Sequence, residues 1–124
     1  MDIREKSLRA HKKLAGKIGL QLKDKPDTKS KLSMYYTPGV AAVSSFIAKN
    51  PASARDFTWL NNSVAIVSDG SAVLGLGNIG PFGALPVMEG KAMLFKHFAN
   101  IDAIPIVIDV HSPDEIVADR KSVV

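Results

Sequence analysis

SDGSAVLGLGNIGPFGALPVMEGK, residues Ser68 to Lys91, decides the reading of this chain. Six of its nine glycines fall between Gly70 and Gly90, and a lone lysine closes the run. Glycines crowd together where the backbone needs unusual dihedrals or must approach another group closely. Such a loop offers amide N–H groups, and Lys91 offers one charge in apolar surroundings, a pairing suited to a small anionic molecule. The Gly75–Gly80 amides, Gly75 and Gly77 first among them, are the candidate contacts for such a molecule.

The flanks give the run its frame. Before it, Val64–Val67 is a short β-branched stretch that predicts a buried strand. After it, Glu89 to Asn100 reads as a helix with Met88, Ala92, Phe95 and Phe98 on or near one face. Ile104–Val110 (IPIVIDV) is a second strand, apolar almost throughout, as parallel strands covered on both faces are. Strand, helix, strand predicts a right-handed βαβ unit. The fold class is therefore α/β: an N-terminal helical segment, then a small parallel-sheet domain containing that unit.

Upstream, Ile3, Leu8, Leu14 and Ile18 among charges form a weak helical pattern, and Lys23 to Lys31 reads as a polar linker. Thr37-Pro38 predicts a helix start, threonine as cap and proline at the first position. Val40, Val43, Phe46 and Ile47 supply its apolar stripe, and Asn50-Pro51 ends it near Lys49. Pro51 to Asn62 reads as a turn-rich connection holding the only tryptophan, Trp59. Downstream, Ser112-Pro113-Asp114-Glu115 fits a capping box, with Ile116, Val117 and Val123–Val124 supplying an apolar face. The division expected is a basic helical segment and linker over 1–32 and the main domain, incomplete at its C-terminus, over 33–124.

Composition excludes several classes. Of 124 residues none is cysteine, so there is no disulfide framework, thiolate metal site or thiol nucleophile. No apolar run approaches the roughly 20 residues of a membrane span, and the charged start (MDIREKSLRAHKK) lacks the apolar core of a secretory signal. A cytoplasmic location follows as the expectation. Residues 1–31 carry ten Lys/Arg against four Asp/Glu, so the net charge of +4 is concentrated there. With no aromatic residue before position 35 to stack on bases, that segment reads as a solvated helix face, not a nucleic-acid or membrane surface.

Each candidate has a plainer reading beside it. Gly75-Leu-Gly77-Asn-Ile-Gly80 fits G-x-G-x-x-G, but Pro81, Gly83 and Pro86 are expected to interrupt the helix that should follow. Asp109 also lies too far on for the ribose acid. A tight crossover loop is the better account. Lys91, just after Gly90, is expected near a helix N-terminus, where the dipole disfavours its charge and helps it act as a base; the plain alternative is a snorkelling surface lysine. Tyr36 is expected to project from a helix N-terminal edge, able to donate a proton, and Tyr35 is equally eligible by chemistry alone. His11, His97 and His111 show no metal-binding spacing, nor do Asp69, Asp102 and Asp109 near the strand ends.

Tyr35-Tyr-Thr-Pro-Gly-Val-Ala41, Ser68-Asp-Gly-Ser-Ala-Val-Leu-Gly-Leu-Gly-Asn-Ile-Gly80 and Pro86-Val-Met-Glu-Gly-Lys-Ala92 together resemble the N-terminal domain of malic enzymes, the short bacterial type above all. The resemblance runs over about residues 14 to 117, in order and with the family's spacing. It implies oxidative decarboxylation of malate to pyruvate and carbon dioxide, with NAD or NADP as hydride acceptor and Mg²⁺ or Mn²⁺ on the substrate oxygens. By resemblance Lys91 is the general base on the C2 hydroxyl. Tyr36, directly before Thr-Pro, is the acid that protonates C3. The resemblance also implies a homodimer in which Tyr36 completes the neighbouring subunit's site.

Ala72 stands where larger family members carry a substrate-binding arginine. The family's metal carboxylates and its dinucleotide domain have no counterpart in this sequence, and Ala118 to Val124 drift from the family's pattern. The chain is thus expected to be truncated relative to the family and inactive alone. The reading from another class is a non-catalytic dimerisation or interaction module.

Overall fold

Proline, glycine and capping side chains set the element boundaries. The computed structural model describes residues 2–110 and 112–122. In chain order it has helices α1 (Ile3–Leu14), α2 (Lys29–Tyr35), α3 (Val40–Lys49) and α4 (Ala54–Phe57), then strand β1 (Ser63–Ser68). Helix α5 (Gly80–Ala99), strand β2 (Asp102–Val107) and helix α6 (Pro113–Ser122) follow. Composition divides the chain at residue 32, whereas contacts separate one unit of residues 1–19 and 64–124 from another of residues 20–63.

In the larger unit β1 and β2 form a two-stranded parallel sheet joined through α5, the strand–helix–strand unit expected from the apolar pattern. Ile108 N continues the pairing beyond β2 by donating to Ser68 O at 3.0 Å. Helix α5 packs against β2 and buries Ala84, Met88 and Ala92, one residue per turn along a single stripe. Phe98, expected near that stripe, is 78% exposed.

The largest departure from expectation is the start of α5. It begins at Gly80, not Glu89, and runs through Pro81, Gly83 and Pro86. Pro81 sits in the first turn, where a missing N–H has no intrahelical partner to lose. Pro86 forfeits the bond to the Phe82 carbonyl, on an exposed turn where water can replace it. The helix ends in a Schellman-type turn: Asn100 adopts φ +53°, its N–H reaches the Lys96 carbonyl, and Ile101 N reaches Phe95 O at 3.3 Å. Lys96 Nζ then pairs with Asp102 Oδ1 at 2.8 Å, joining the helix end to the start of β2.

At α6 the capping box forms as read. Glu115 N donates to Ser112 Oγ and Ser112 N donates to a Glu115 carboxylate oxygen, both at 3.2 Å. His111, Val123 and Val124 lie outside the described residues.

In the smaller unit, Thr28 caps α2 by accepting from Lys31 N at 3.1 Å, so a helix starts inside the stretch read as linker. Helix α3 starts at Val40, three residues after the threonine expected to cap it. Thr37 to Gly39 form a turn instead, closed by Gly39 N donating to Ser33 O at 2.9 Å and Val40 N to Tyr36 O at 2.7 Å. The rings of Phe46 and Phe57 meet at 5.3 Å between centroids. No helix among the described residues is long and apolar enough to cross a membrane.

Candidate functional site

The glycine run folds as a closed loop between β1 and α5. Asp69 turns back on the chain, its Oδ1 accepting from Ser71 N at 3.0 Å and Ser71 Oγ at 2.8 Å. Val73 and Gly77 exchange both backbone hydrogen bonds at 2.8 Å, making a miniature hairpin whose apex includes Gly75 at φ +78°. Leu76 N also donates to Val73 O, Ile79 N to Gly70 O, and Gly80 N to Asn78 Oδ1. Gly70 holds φ +73°, and a Cβ there would fall on the Gly80 carbonyl.

This corrects the expected amide cradle. The N–H of Gly77 is spent on Val73, and those of Leu76, Ile79 and Gly80 are likewise engaged within the loop. Gly75 keeps its place as a candidate contact. The same bonds answer the dinucleotide fingerprint. The spacing is present and α5 does open at Gly80, yet the amides that would face a pyrophosphate serve the loop itself. The glycine run therefore does not fit a dinucleotide pyrophosphate.

Lys91 lies in the middle of α5 and is exposed. Its expected position at a helix N-terminus is therefore wrong, because the helix begins before Pro81 and the dipole argument loses its geometry. Beside it, Glu89 performs a task the sequence did not reveal. A Glu89 carboxylate oxygen accepts from the backbone N–H of Lys17 at 3.0 Å. Gly16 makes room for that carboxylate, at φ +112° with a Cβ position 3.1 Å from it. The Lys17 stem runs beside Gly90, 3.8 Å from a would-be Cβ. Its ammonium donates to His11 Nε2, while His11 Nδ1 reaches Ser7 O at 2.8 Å. Lysine only donates, so this arrangement requires the neutral Nδ1–H tautomer of His11. The turn after α1 is thereby clasped to α5 at the residues just before Lys91.

Tyr36 belongs to the other unit. It ends α2 and leaves the helix at φ −123°, ψ −135°, so it projects from a helix C-terminal edge and not the N-terminal edge expected. Its side chain is 67% exposed, and among the described residues its hydroxyl has no hydrogen-bond partner. Tyr35 differs. Its hydroxyl donates to Asp24 Oδ2 at 2.8 Å, while Lys31 Nζ donates to Asp24 Oδ1 at 2.9 Å. The hydrogen bond from Lys31, then that from Tyr35, holds the Asp24 carboxyl below the usual carboxylate range. The hydrogen bond to Asp24 pushes the Tyr35 phenol above its ordinary value.

The signs give a prediction. A lowered folded-state value means Asp24 stabilises the fold above the ordinary carboxylate range and loses that contribution as pH falls through its depressed value. A raised value means the Tyr35 contribution is whole below the ordinary phenol range and lost as pH rises through the raised one. In urea unfolding, the wild type should lose more stability than Asp24→Asn between neutral and acid pH. Parallel curves for the two proteins would contradict this.

Among the described residues no three His, Cys, Asp or Glu side chains gather to hold a metal ion. Asp69 and Asp102 are engaged with Ser71 and Lys96, and the His97 ring packs edge-on against Phe98 at 4.7 Å.

Comparison with known proteins adds the following. The family model described as malic enzyme, N-terminal domain, matches residues 19–122. The chain is 52% identical over 110 residues to the NAD-dependent malic enzyme of Geobacillus stearothermophilus, covering 89% of this chain and 23% of that one. It is 48% identical over 121 residues to the bifunctional malic/malolactic enzyme of Bacillus subtilis, covering 98% of this chain and 30% of that one. Among solved structures, the malic enzyme of Pyrococcus horikoshii superposes with a TM-score of 0.95 at 46% identity, covering 98% of this chain and 29% of that one. The NAD-dependent malic enzyme of Thermotoga maritima gives 0.91 at 50% identity, covering 99% and 34%. The chain thus spans about a quarter to a third of the length of these relatives.

Proposed function

This chain belongs to the malic enzyme N-terminal domain family, and on that premise we propose that it supplies the proton-transferring half of a malate-decarboxylating site. The observation that carries the reading is the family match across residues 19–122, which includes Tyr36 and Lys91. The free hydroxyl of Tyr36 beside the engaged hydroxyl of Tyr35 supports it.

In the reaction we propose, malate is oxidised at C2 and decarboxylated to pyruvate and carbon dioxide. Lys91 Nζ takes the proton from the C2 hydroxyl as the carbonyl forms. Loss of the carboxyl group leaves an enol, and Tyr36 Oη delivers the proton to C3 that turns it into pyruvate. Each group changes charge by one proton, which suits general acid–base work. Gly75 lies at the tip of the hairpin as a backbone contact for a substrate carboxylate. NAD or NADP and a divalent metal belong to the proposal for the complete enzyme. There the dinucleotide would take the hydride from C2, and the metal would polarise the C2 oxygen as a Lewis acid. A homodimer in which Tyr36 completes the neighbouring subunit's site belongs to the same proposal.

Exposed apolar side chains agree with a chain built to be covered. Leu74 is 100% exposed, Phe82 86% and Leu76 65%, at and beside the hairpin. Clusters of that kind mark interaction surfaces more than solvent-facing ones.

The experiment is a pair of assays on the pure 124-residue chain. Isothermal calorimetry should show no NAD⁺ binding, and malate with Mn²⁺ should yield no NADH or NADPH. Turnover by this chain alone would overturn the division of labour. The intact mass of the native polypeptide completes the test. A species several times 13.3 kDa agrees with the reading, and a 13.3 kDa species that lacks malate turnover contradicts it.

A further inference from the structure

Two tyrosines stand side by side in this chain, and they are its only two. Their exposures, 51% for Tyr35 and 67% for Tyr36, do not separate them. Their partners do. Lys31 and Tyr35 lie four residues apart on one face of α2, so their side chains stack along the same stripe. Asp24 reaches that stripe from the preceding loop and holds both, one carboxylate oxygen on each. Lys31 adds the carbonyl of Lys25 at 3.4 Å and the carboxylate of Asp27 at 3.6 Å. Residues 24–27 are thereby strapped across the face of α2 that carries Tyr35. Tyr36 departs from the helix at the next residue and takes no part in the strap.

We propose that Asp24 is a positioning residue that sorts the adjacent tyrosines, binding the hydroxyl of Tyr35 so that Tyr36 alone presents a reactive phenol. This rests on the reading of Tyr36 given above. A phenol that donates to a carboxylate resists losing its proton, because ionisation would set phenolate against carboxylate at hydrogen-bond distance. It also offers no free hydroxyl to a substrate. The strap acts on Tyr36 only through Tyr35 and the end of α2. The groups facing the Tyr35 hydroxyl are Asp24 itself and, through it, Lys31 with Asp27; all lie within the same unit.

The test is nitration by tetranitromethane, which attacks the phenolate form of tyrosine. Tyr35→Phe leaves Tyr36 as the sole target, and Tyr36→Phe leaves Tyr35, so each rate is read from one site by absorbance. The expected result is nitration of Tyr36 severalfold faster than of Tyr35, although exposure alone predicts near-equal rates. Adding Asp24→Asn to each should bring the two rates together with the far-ultraviolet circular dichroism of the chain unchanged. Equal rates in the starting pair, or a ratio that survives Asp24→Asn, overturns the proposal.

Lys31→Ala separates sorting from mere bracing, and decides the matter should Asp24→Asn fail to fold. Loosening a brace would speed nitration of Tyr35. Leaving the carboxylate on Tyr35 without its lysine keeps that rate low, which is the result expected; a faster rate overturns the proposal. No malate is present, so failure here leaves the assignment of Tyr36 standing. Full turnover by a Tyr36→Phe native enzyme would instead remove that assignment and leave the sorting intact.

Discussion

Gly70→Ala is expected to destabilise the larger unit by about 2–5 kcal/mol. Two independent penalties meet at this residue. At φ +73° an alanine sits in the left-handed region, which costs about 1–2 kcal/mol for a residue with a Cβ. The new Cβ would also fall on the Gly80 carbonyl and approach the Ala84 Cβ at 3.1 Å. The first of those is backbone at the start of α5, so no side-chain rotation relieves it, and overpacking of this kind adds about 1–3 kcal/mol. The sum is a large part of the 5–15 kcal/mol that typically separates folded from unfolded domains. Ala84, Met88 and Ala92 on the same helix are the only buried apolar side chains among the described residues, so little other packing offsets the loss. Urea unfolding followed by circular dichroism checks it. A midpoint within error of the wild type would show that the loop can shift, contrary to the geometry described.

The second large effect is chemical. On the proposed reading, Lys91→Ala in the native polypeptide should lower kcat for malate by about 10²–10⁴, the range a positioned general base supplies. Tyr36→Phe should cost a comparable factor, since the enol then waits for a proton from water. Both should act on kcat more than on KM, because each group serves a proton in flight and not the resting substrate. Tyr35→Phe is the internal control: its hydroxyl is bound to Asp24, and the rate should stay near that of the wild type. The contrast between two neighbouring tyrosines removes the objection that any substitution at this turn disturbs the fold. Equal losses at Tyr35 and Tyr36 would sink the assignment.

How far the sequence could be read depended on whether the deciding physics was local. The two strands, the capping box at Ser112 and Glu115, and the helix stop at Asn50-Pro51 were legible because each rests on side chains a few residues apart. Positive φ values at Gly70, Gly75, Gly77 and Gly80 likewise answer to the crowding of glycines. The start of α5 was not legible. Pro81, Gly83 and Pro86 read as breakers one at a time, but a first-turn proline is tolerated, and packing of Ala84 and Met88 carries the helix through the rest. Read as breakers, these residues place Lys91 at a helix end, whereas the helix runs about three turns ahead of it.

The partners were less visible still. Glu89 meets the Lys17 amide across 72 positions, and no spacing rule announces such a pair. Asp24 is 11 residues from Tyr35, in a stretch whose lysines and proline read as linker. Thr28 was the available signal there, a capping residue that starts α2 and sets Lys31 and Tyr35 on one face. The amides of the glycine run could be counted from the sequence, but not their engagement with one another.

The central claim is that Lys91 takes the substrate proton in a malate-decarboxylating site. The most direct measurement is the initial rate of malate-dependent NAD⁺ or NADP⁺ reduction, with Mn²⁺, by the native polypeptide beside its Lys91→Ala variant. The account predicts turnover in the first and a loss of at least about a hundredfold in the second. Turnover that survives the substitution, or a native polypeptide that never oxidises malate, would contradict it.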